Sequence, residues 1–450
     1  MICVEYYYYW ISYLCERGNV LKMSEYIIGI DIGSSKVCAA AGKLDKLGKL
    51  QIVGAASVKA IGVKKGIIVD IDNTSESIKK CISQLEGMID NQIEEAYISF
   101  PGVISELISN KGIIAVSSED REIKESDIKR VIKATKIISI ASEKEIIGII
   151  PNQYIIDGFD EIKDPLGMSG LRLELDAQLV VAQSTVVSNL LKSLNKAGIK
   201  INGIVFQPIA ESEIVLKDEE IEMGVALIDI GSDTSNISIF KDGNIVYNDH
   251  IPMGGSAITN DIAICLKIPN SQAEFLKTKY GMAGHDVNNN SLIQVKADFN
   301  NAIKVDLKVL KQVVEARVEE LLLLVDKKMR RSGKYNGITG IVIIGGGISL
   351  FKGIEEFGKN ILEKPFRIGY IPYVDSLNQI YASAIGVVQE VSGRVKLTKD
   401  DEDKPVVRIK NERINKSKTH ISKEKDYDEY GNDENNSLIS KIKNFLTEFF

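Results

Sequence analysis

The string IDIGSSK at residues 30–36 returns almost unchanged as IDIGSDT at residues 228–234. Each copy ends one apolar run, YIIGIDIG or GVALIDIG, and leads into another, VCAAAGKL or NISIFKDG. Two apolar runs joined by a glycine turn predict a tight β-hairpin, with Gly33 and Gly231 permitting close backbone approach. Neither copy is a Walker-type loop, because no Gly-x-x-x-x-Gly-Lys-Ser/Thr string occurs in the chain. Backbone N–H groups and hydroxyls in such turns can hold phosphate oxygens, which nominates Gly33, Ser34, Ser35, Lys36, Gly231, Ser232 and Thr234. Asp31 and Asp229, just ahead of each glycine, point into the same space and can organise Mg²⁺ through water. Two hairpins of this kind, one per half of the chain, would grip the phosphates of one nucleotide from both sides.

A chain of 450 residues exceeds one simple core, so two large lobes or several subdomains are expected. Its 44% hydrophobic and 26% charged residues are the balance of a globular protein. The net charge of -6 argues against a general nucleic-acid partner. Five cysteines show no Cys-x-x-Cys spacing and fit reduced thiols. The three histidines have no ligand spacing, which disfavours a His-built metal site.

From about Glu25 to Gln389 short apolar strands, among them EAYISF and GIVIIGGG, alternate with amphipathic stretches. TSESIKKCISQLEGMI and LKQVVEARVEELLLLVDKKM repeat apolar residues every three or four positions and predict helices with one buried face. The later string IVIIGGGISLFKG adds Gly345, Gly346 and Gly347, suited to the base and ribose of a nucleotide. Two phosphate hairpins followed by such a segment resemble the α/β actin-like ATPase fold, with two lobes around a nucleotide cleft. That resemblance makes FQPIAES (206–212) and YASAIG (381–386) the helices joining the lobes. It places Gln207 where the fold often orients an attacking water. It also makes Glu274 a ligand for ribose hydroxyls, with Lys277, one turn on, beside the purine.

Residues 150–184 narrow the choice. They contain Asp164, Pro165, Gly167, Met168, Gly170, Arg172, Leu173 and Glu174 in the pattern DPxGMxGxRLE. This closely resembles the inserted subdomain of the FtsA family of actin-like cell-division proteins, and IPMGGSAITNDIAICLKIP is similar to the same family. The resemblance covers roughly residues 24–390. It implies lobe 1 at 24–106 and 187–218, the inserted subdomain 1C at 107–186, lobe 2 at 219–252 and 331–390, and subdomain 2B at 253–330. Residues 1–23 are expected to be an N-terminal extension ahead of a natural start near Met23. The family's second hairpin usually reads like DIGGGTTD, whereas this chain has Ser232 and Asp233 for two glycines and Asn236 for an aspartate. An Asp233 carboxylate facing a terminal phosphate would repel it by roughly 1 to 4 kcal/mol, and turned outward it would cost nothing. ATP binding is therefore expected, with at most weak hydrolysis. Pro101-Gly102-Val103 stands where the family often has Gly-Ser-His.

Residues 391–436 carry dense charge of both signs and almost no apolar periodicity, which predicts a disordered tether. Residues 437–450 reverse that character. Leu438, Ile439, Ile442, Phe445, Leu446, Phe449 and Phe450 fall on one helical face, with Lys441 and Lys443 positioned for anionic headgroups. Seven apolar side chains at about 1.5 kcal/mol each amount to roughly 10 kcal/mol gross, most of it offset by ordering. Such a helix binds a membrane surface reversibly, and a filament of them binds firmly. The family resemblance adds the partners: the C-terminal peptide of FtsZ on 2B, further copies in a filament, and other division proteins at the cytoplasmic face of the septum. The rivals are a non-division membrane scaffold and a small-molecule kinase of the same fold. FQPIAES offers no convincing aspartate base for a kinase.

Overall fold

The structure is a computed structural model that describes residues 26–284, 292–296, 302–372 and 379–402. The N-terminal extension at 1–23, residues 403–436 of the expected tether and the amphipathic helix at 437–450 lie outside the described residues.

In lobe 1, β1 (Ile27–Ile32), β2 (Lys36–Leu44) and β3 (Leu50–Lys59) form an antiparallel meander. A small ribbon of β4 (Val63–Lys64) and β5 (Ile67–Ile68) leads to α1 (Ile71–Ile89), which Asp70 caps by accepting from the N–H of Asn73. The face carrying Ile78, Cys81, Ile82 and Leu85 is buried. Next, β6 (Glu95–Phe100) pairs parallel to β1.

The chain then leaves the lobe as β7 (Ser105–Ala115), α2 (Glu125–Thr135), β8 (Lys144–Ile156), β9 (Phe159–Ile162) and β10 (Arg172–Gln183), a sheet ordered β7-β10-β8-β9. Its core of Ile123, Ile128, Val131, Leu173, Leu175 and Leu179 is separate from that of lobe 1. The DPLGMSGLRLE residues form the turn into β10. The Asp157 carboxylate accepts from the N–H groups of Leu171 and Arg172, while buried Glu174 meets Lys111 and Arg172 at 2.6 Å each. The spacing is thus a turn plus a buried glutamate paired with two solvent-reaching cations.

Returning to lobe 1, α3 (Ser184–Lys196) and β11 (Lys200–Phe206) complete a sheet ordered β11-β6-β1-β2-β3. The crossover follows as α4 (Gln207–Val215) and α5 (Asp218–Met223). Lobe 2 repeats the plan with β12 (Val225–Ile230), β13 (Ser235–Lys241) and β14 (Asn244–Ile251). Then come α6 (Gly255–Leu266), α7 (Asn270–Tyr280), the ribbon of β15 (Leu292–Lys296) and β16 (Ala302–Asp306), and α8 (Leu307–Arg331). Finally β17 (Gly340–Ile344), α9 (Ile354–Leu362) and β18 (Phe366–Ile368) give a sheet ordered β14-β13-β12-β17-β18. Both sheets therefore hold three antiparallel strands and two parallel ones in the same relative order, so the repeated string marks a repeated lobe.

Helix α10 (Ala382–Glu402) closes the molecule against α4 and β1. A Cβ on Gly386 would lie 2.0 Å from the carbonyl oxygen of Ala210, so the two crossover helices meet at backbone distance. The first residues of the tether expected at 391–436 are helical instead, because α10 continues to Glu402. Val387, Val388 and Val391 are buried and fix the helix, and adding turns to an existing helix costs little.

Candidate functional site: the cleft between the lobes

The two hairpins have the same geometry. In each, a four-residue turn links a closing pair, Ile32 with Val37 and Ile230 with Ser235. The glycine N–H donates across the turn, Gly33 to the Lys36 carbonyl at 2.9 Å and Gly231 to the Thr234 carbonyl at 3.0 Å. The parallel neighbours β6 and β17 carry the sheet to the same end, where the chain leaves at Pro101 and Gly345. At Gly345 φ is 128°, and a Cβ would sit 2.2 Å from the Ile230 carbonyl oxygen, so only glycine fits there.

The hairpins face one cavity of ≈ 660 Å³, the size of a small-ligand site. Every residue nominated from sequence for nucleotide or magnesium lines it: Asp31, Gly33, Ser34, Ser35 and Lys36 from lobe 1, then Asp229, Gly231, Ser232 and Thr234 from lobe 2. Gly345, Gly346 and Gly347 close one side, Glu274 and Lys277 another, and Gln207 lies at the hinge.

Gln207 is tied down. Its Nε2 lies 2.8 Å from Glu211 Oε1, 3.1 Å from Asp229 Oδ2 and 3.4 Å from Ser383 Oγ, while its Oε1 accepts from the Gly102 N–H at 3.3 Å. Glu211 and Ser383 are lining residues that sequence reasoning left out, and their hydroxyl–carboxylate contact is 2.8 Å. The glutamate of the FQPIAES string was the available signal. Burial pushes Asp31 up to about 6. Burial and the nearby Asp31 charge push Asp229 up to about 7. Glu211 is raised by burial first and then by Asp229. Three carboxyls are thus gathered where each disfavours the charge of another.

Lys277 is 4% exposed, with Nζ 2.6 Å from Glu274, 2.8 Å from Thr259 Oγ1 and 3.0 Å from the Gly255 carbonyl. It therefore braces the start of α6 behind the second hairpin. Lys59, paired with Lys36 across β2 and β3, adds a third lysine to the lining beside Lys36 and Lys277.

The departures in the second hairpin fall into two contacts. Asp233 is not among the cavity-lining residues. Its Oδ2 accepts from the Lys65 N–H of lobe 1 at 3.3 Å, and its Oδ1 accepts from the hydroxyls of Ser232 at 3.3 Å and Ser256 at 3.4 Å. Asn236 meets the Pro-Gly-Val segment, where a Cβ on Gly102 would lie 2.8 Å from Asn236 Oδ1. The Asn236 amide donates to Ser238 and Asn248, and Asn248 donates to the Gly102 carbonyl at 2.8 Å. Two unusual stretches far apart in the chain therefore form one neutral, glycine-dependent seam between the lobes.

Comparison with known proteins agrees with this architecture. Residues 226–386 match the family described as cell division protein FtsA, and residues 103–181 match the SHS2 domain inserted in FtsA. The chain is 33% identical over 371 residues to the cell division protein FtsA of Bacillus subtilis (strain 168), covering 82% of this chain and 84% of that protein. It is 31% identical over 406 residues to that of Borreliella burgdorferi, covering 88% and 98%. Among solved structures, the PilM–PilN type IV pilus biogenesis complex aligns with a TM-score of 0.58 at 14% identity, over 82% of this chain and 99% of that one. Likeness at that identity shows the shared fold alone, the two-lobed actin-like ATPase fold. With the inserted sheet, the doubled hairpin lobes and relatives above 30% identity along most of its length, the chain belongs to the FtsA family of cell division proteins.

Proposed function

We propose that this division protein binds ATP with Mg²⁺ between its lobes, polymerises, and tethers FtsZ to the cytoplasmic membrane surface at the septum. The observation that carries the nucleotide reading is the pair of equivalent glycine turns facing one cavity from opposite lobes. Asp31 and Asp229 fit a magnesium site held through water. Burial raises both carboxyls, and the Asp31 charge adds to the rise at Asp229; a divalent ion there would restore their charge. Bound magnesium would neutralise phosphate charge; the protein's own part is to orient the phosphates with the Gly33 and Gly231 turns. Hydrolysis is weak in this reading, because Gln207 is committed to partners at the hinge and Asn236 offers no charge.

The membrane and FtsZ parts rest on the family and on the C-terminal sequence. The test is flotation with anionic liposomes, comparing the full chain with one ending at Asn436, with and without ATP and FtsZ. The full chain should float and carry FtsZ while the shortened one does neither. Equal behaviour of the two removes the membrane role.

A further inference from the structure

Lys36, Lys59 and Lys277 all line the cleft cavity, but they are held differently. Lys277 is committed, its ammonium meeting Glu274, Thr259 and the Gly255 carbonyl. The ammonium groups of Lys36 and Lys59 make no hydrogen bond or ion pair with any described residue. The two are also direct partners in the antiparallel ladder of β2 and β3, in a register that sets Lys36 opposite Lys59 and Cys38 opposite Ser57. Residues two apart on a strand share a face, and all four of these line the cavity, so both lysines lie on the cavity side of the sheet. Side chains directly opposite on antiparallel strands have Cβ atoms about 5 Å apart, and like charges placed there repel. The pair is therefore unfavourable in the empty protein and ready to hold an anion between its two ammonium groups.

The ladder also fixes where that anion lies. One step on, the Ala60 N–H donates to the Ser35 carbonyl at 2.9 Å, so β3 runs alongside the first hairpin turn and Lys59 flanks it on the side away from β1. Lobe 2 contributes one lysine to the lining, Lys277, which burial holds below the usual lysine range and the nearby Lys36 charge lowers further. We infer that Lys59 is a second phosphate-binding lysine of the cleft, gripping with Lys36 the same polyphosphate from the flank of the first hairpin. The inference deepens the nucleotide reading of the cleft and rests on it. The string around Lys59, ASVKAIG, carries no phosphate motif; the strand register supplies the assignment. Lysine holds phosphate as a point charge, and Lys59 is exposed, so its contribution is screened by salt.

The test is calorimetric titration of the full chain with Mg²⁺–ADP and with Mg²⁺–AMPPNP, at low and at physiological salt, for the natural protein, Lys59→Gln and Lys79→Gln. Lys79, exposed on α1 and outside the cavity lining, controls for the change in net charge. Lys59→Gln should weaken both nucleotides about tenfold at low salt, with the gap narrowing at physiological salt, while Lys79→Gln stays within about twofold of the natural protein. The urea midpoint of Lys59→Gln without nucleotide should not fall, because the substitution removes a like-charge contact. Unchanged affinity in Lys59→Gln overturns the inference, and so does a loss that Lys79→Gln matches. A salt-independent loss with a lower urea midpoint overturns it too, by making Lys59 a structural residue. If the natural protein binds neither nucleotide, the cleft reading itself falls, an outcome distinct from a natural protein that binds and a Lys59→Gln variant that equals it.

Discussion

The Nε2 atom of Gln207 lies 3.1 Å from Asp229 Oδ2, so the first residue of the crossover helix holds the acidic end of the lobe 2 strand. The same amide reaches Glu211 and Ser383, so one side chain links these three elements through hydrogen bonds. Removing it takes the amide donor from Asp229 Oδ2 and the acceptor from the Gly102 N–H, while Glu211 keeps the Ser383 hydroxyl. Gln207→Ala should therefore lower unfolding free energy by about 1–3 kcal/mol, read from urea titration without nucleotide. No change in the urea midpoint would show that the amide is dispensable to the hinge.

Acidity gives a second expectation. The folded chain raises Asp31 to about 6 and Asp229 to about 7 from 3.8, so between these values it holds protons the unfolded chain has lost. Their contribution is complete below pH 3.8 and disappears as pH rises through 6 and 7. Asp229→Asn should consequently be more stable than the natural protein at pH 8, with the gap closing towards pH 5. His250, lowered by burial, acts in the opposite sense, but it is common to both proteins and cancels in the difference. A pH-independent gap would contradict the assignment.

At the seam between the lobes, Gly102→Ala puts a methyl 2.8 Å from Asn236 Oδ1 and 2.9 Å from Pro208 Cγ. The Asn236 side chain is anchored by Ser238 and Asn248 and cannot simply swing away. The substitution should cost about 1–3 kcal/mol. Combined with Asn236→Ala it should cost less than the sum of the two single changes, a coupling that a double-mutant thermal series measures.

In the inserted sheet, Glu174 is 4% exposed and meets Lys111 and Arg172, both of which reach solvent. The cations can rehydrate when the glutamate is removed, which moderates the loss. Glu174→Ala should destabilise this subdomain by about 1–3 kcal/mol, seen as earlier amide exchange in β7 and β10 while lobe 2 is unaffected. Uniform loosening of the whole chain would instead place Glu174 in a common core.

The hairpins, the strands around them and the faces of α1 and α8 were legible in the sequence because each is local. A glycine turn between apolar runs and a three-to-four residue period need no knowledge of distant partners. The end of α10 was not legible. Its charged composition suggests a tether, whereas anchorage by Val387, Val388 and Val391 carries the helix on to Glu402. The contacts of Gln207 with Gly102 and Ser383, the grip of Asp233 on Lys65 and the fit of Gly102 against Asn236 join positions more than a hundred residues apart. Sequence supplied the chemistry of each group, since donors, acceptors and absent side chains are fixed by residue type. Only the closing of two lobes on one another decided which groups meet, because side-chain contact depends on the packed distance between strands and leaves no periodic mark along the chain.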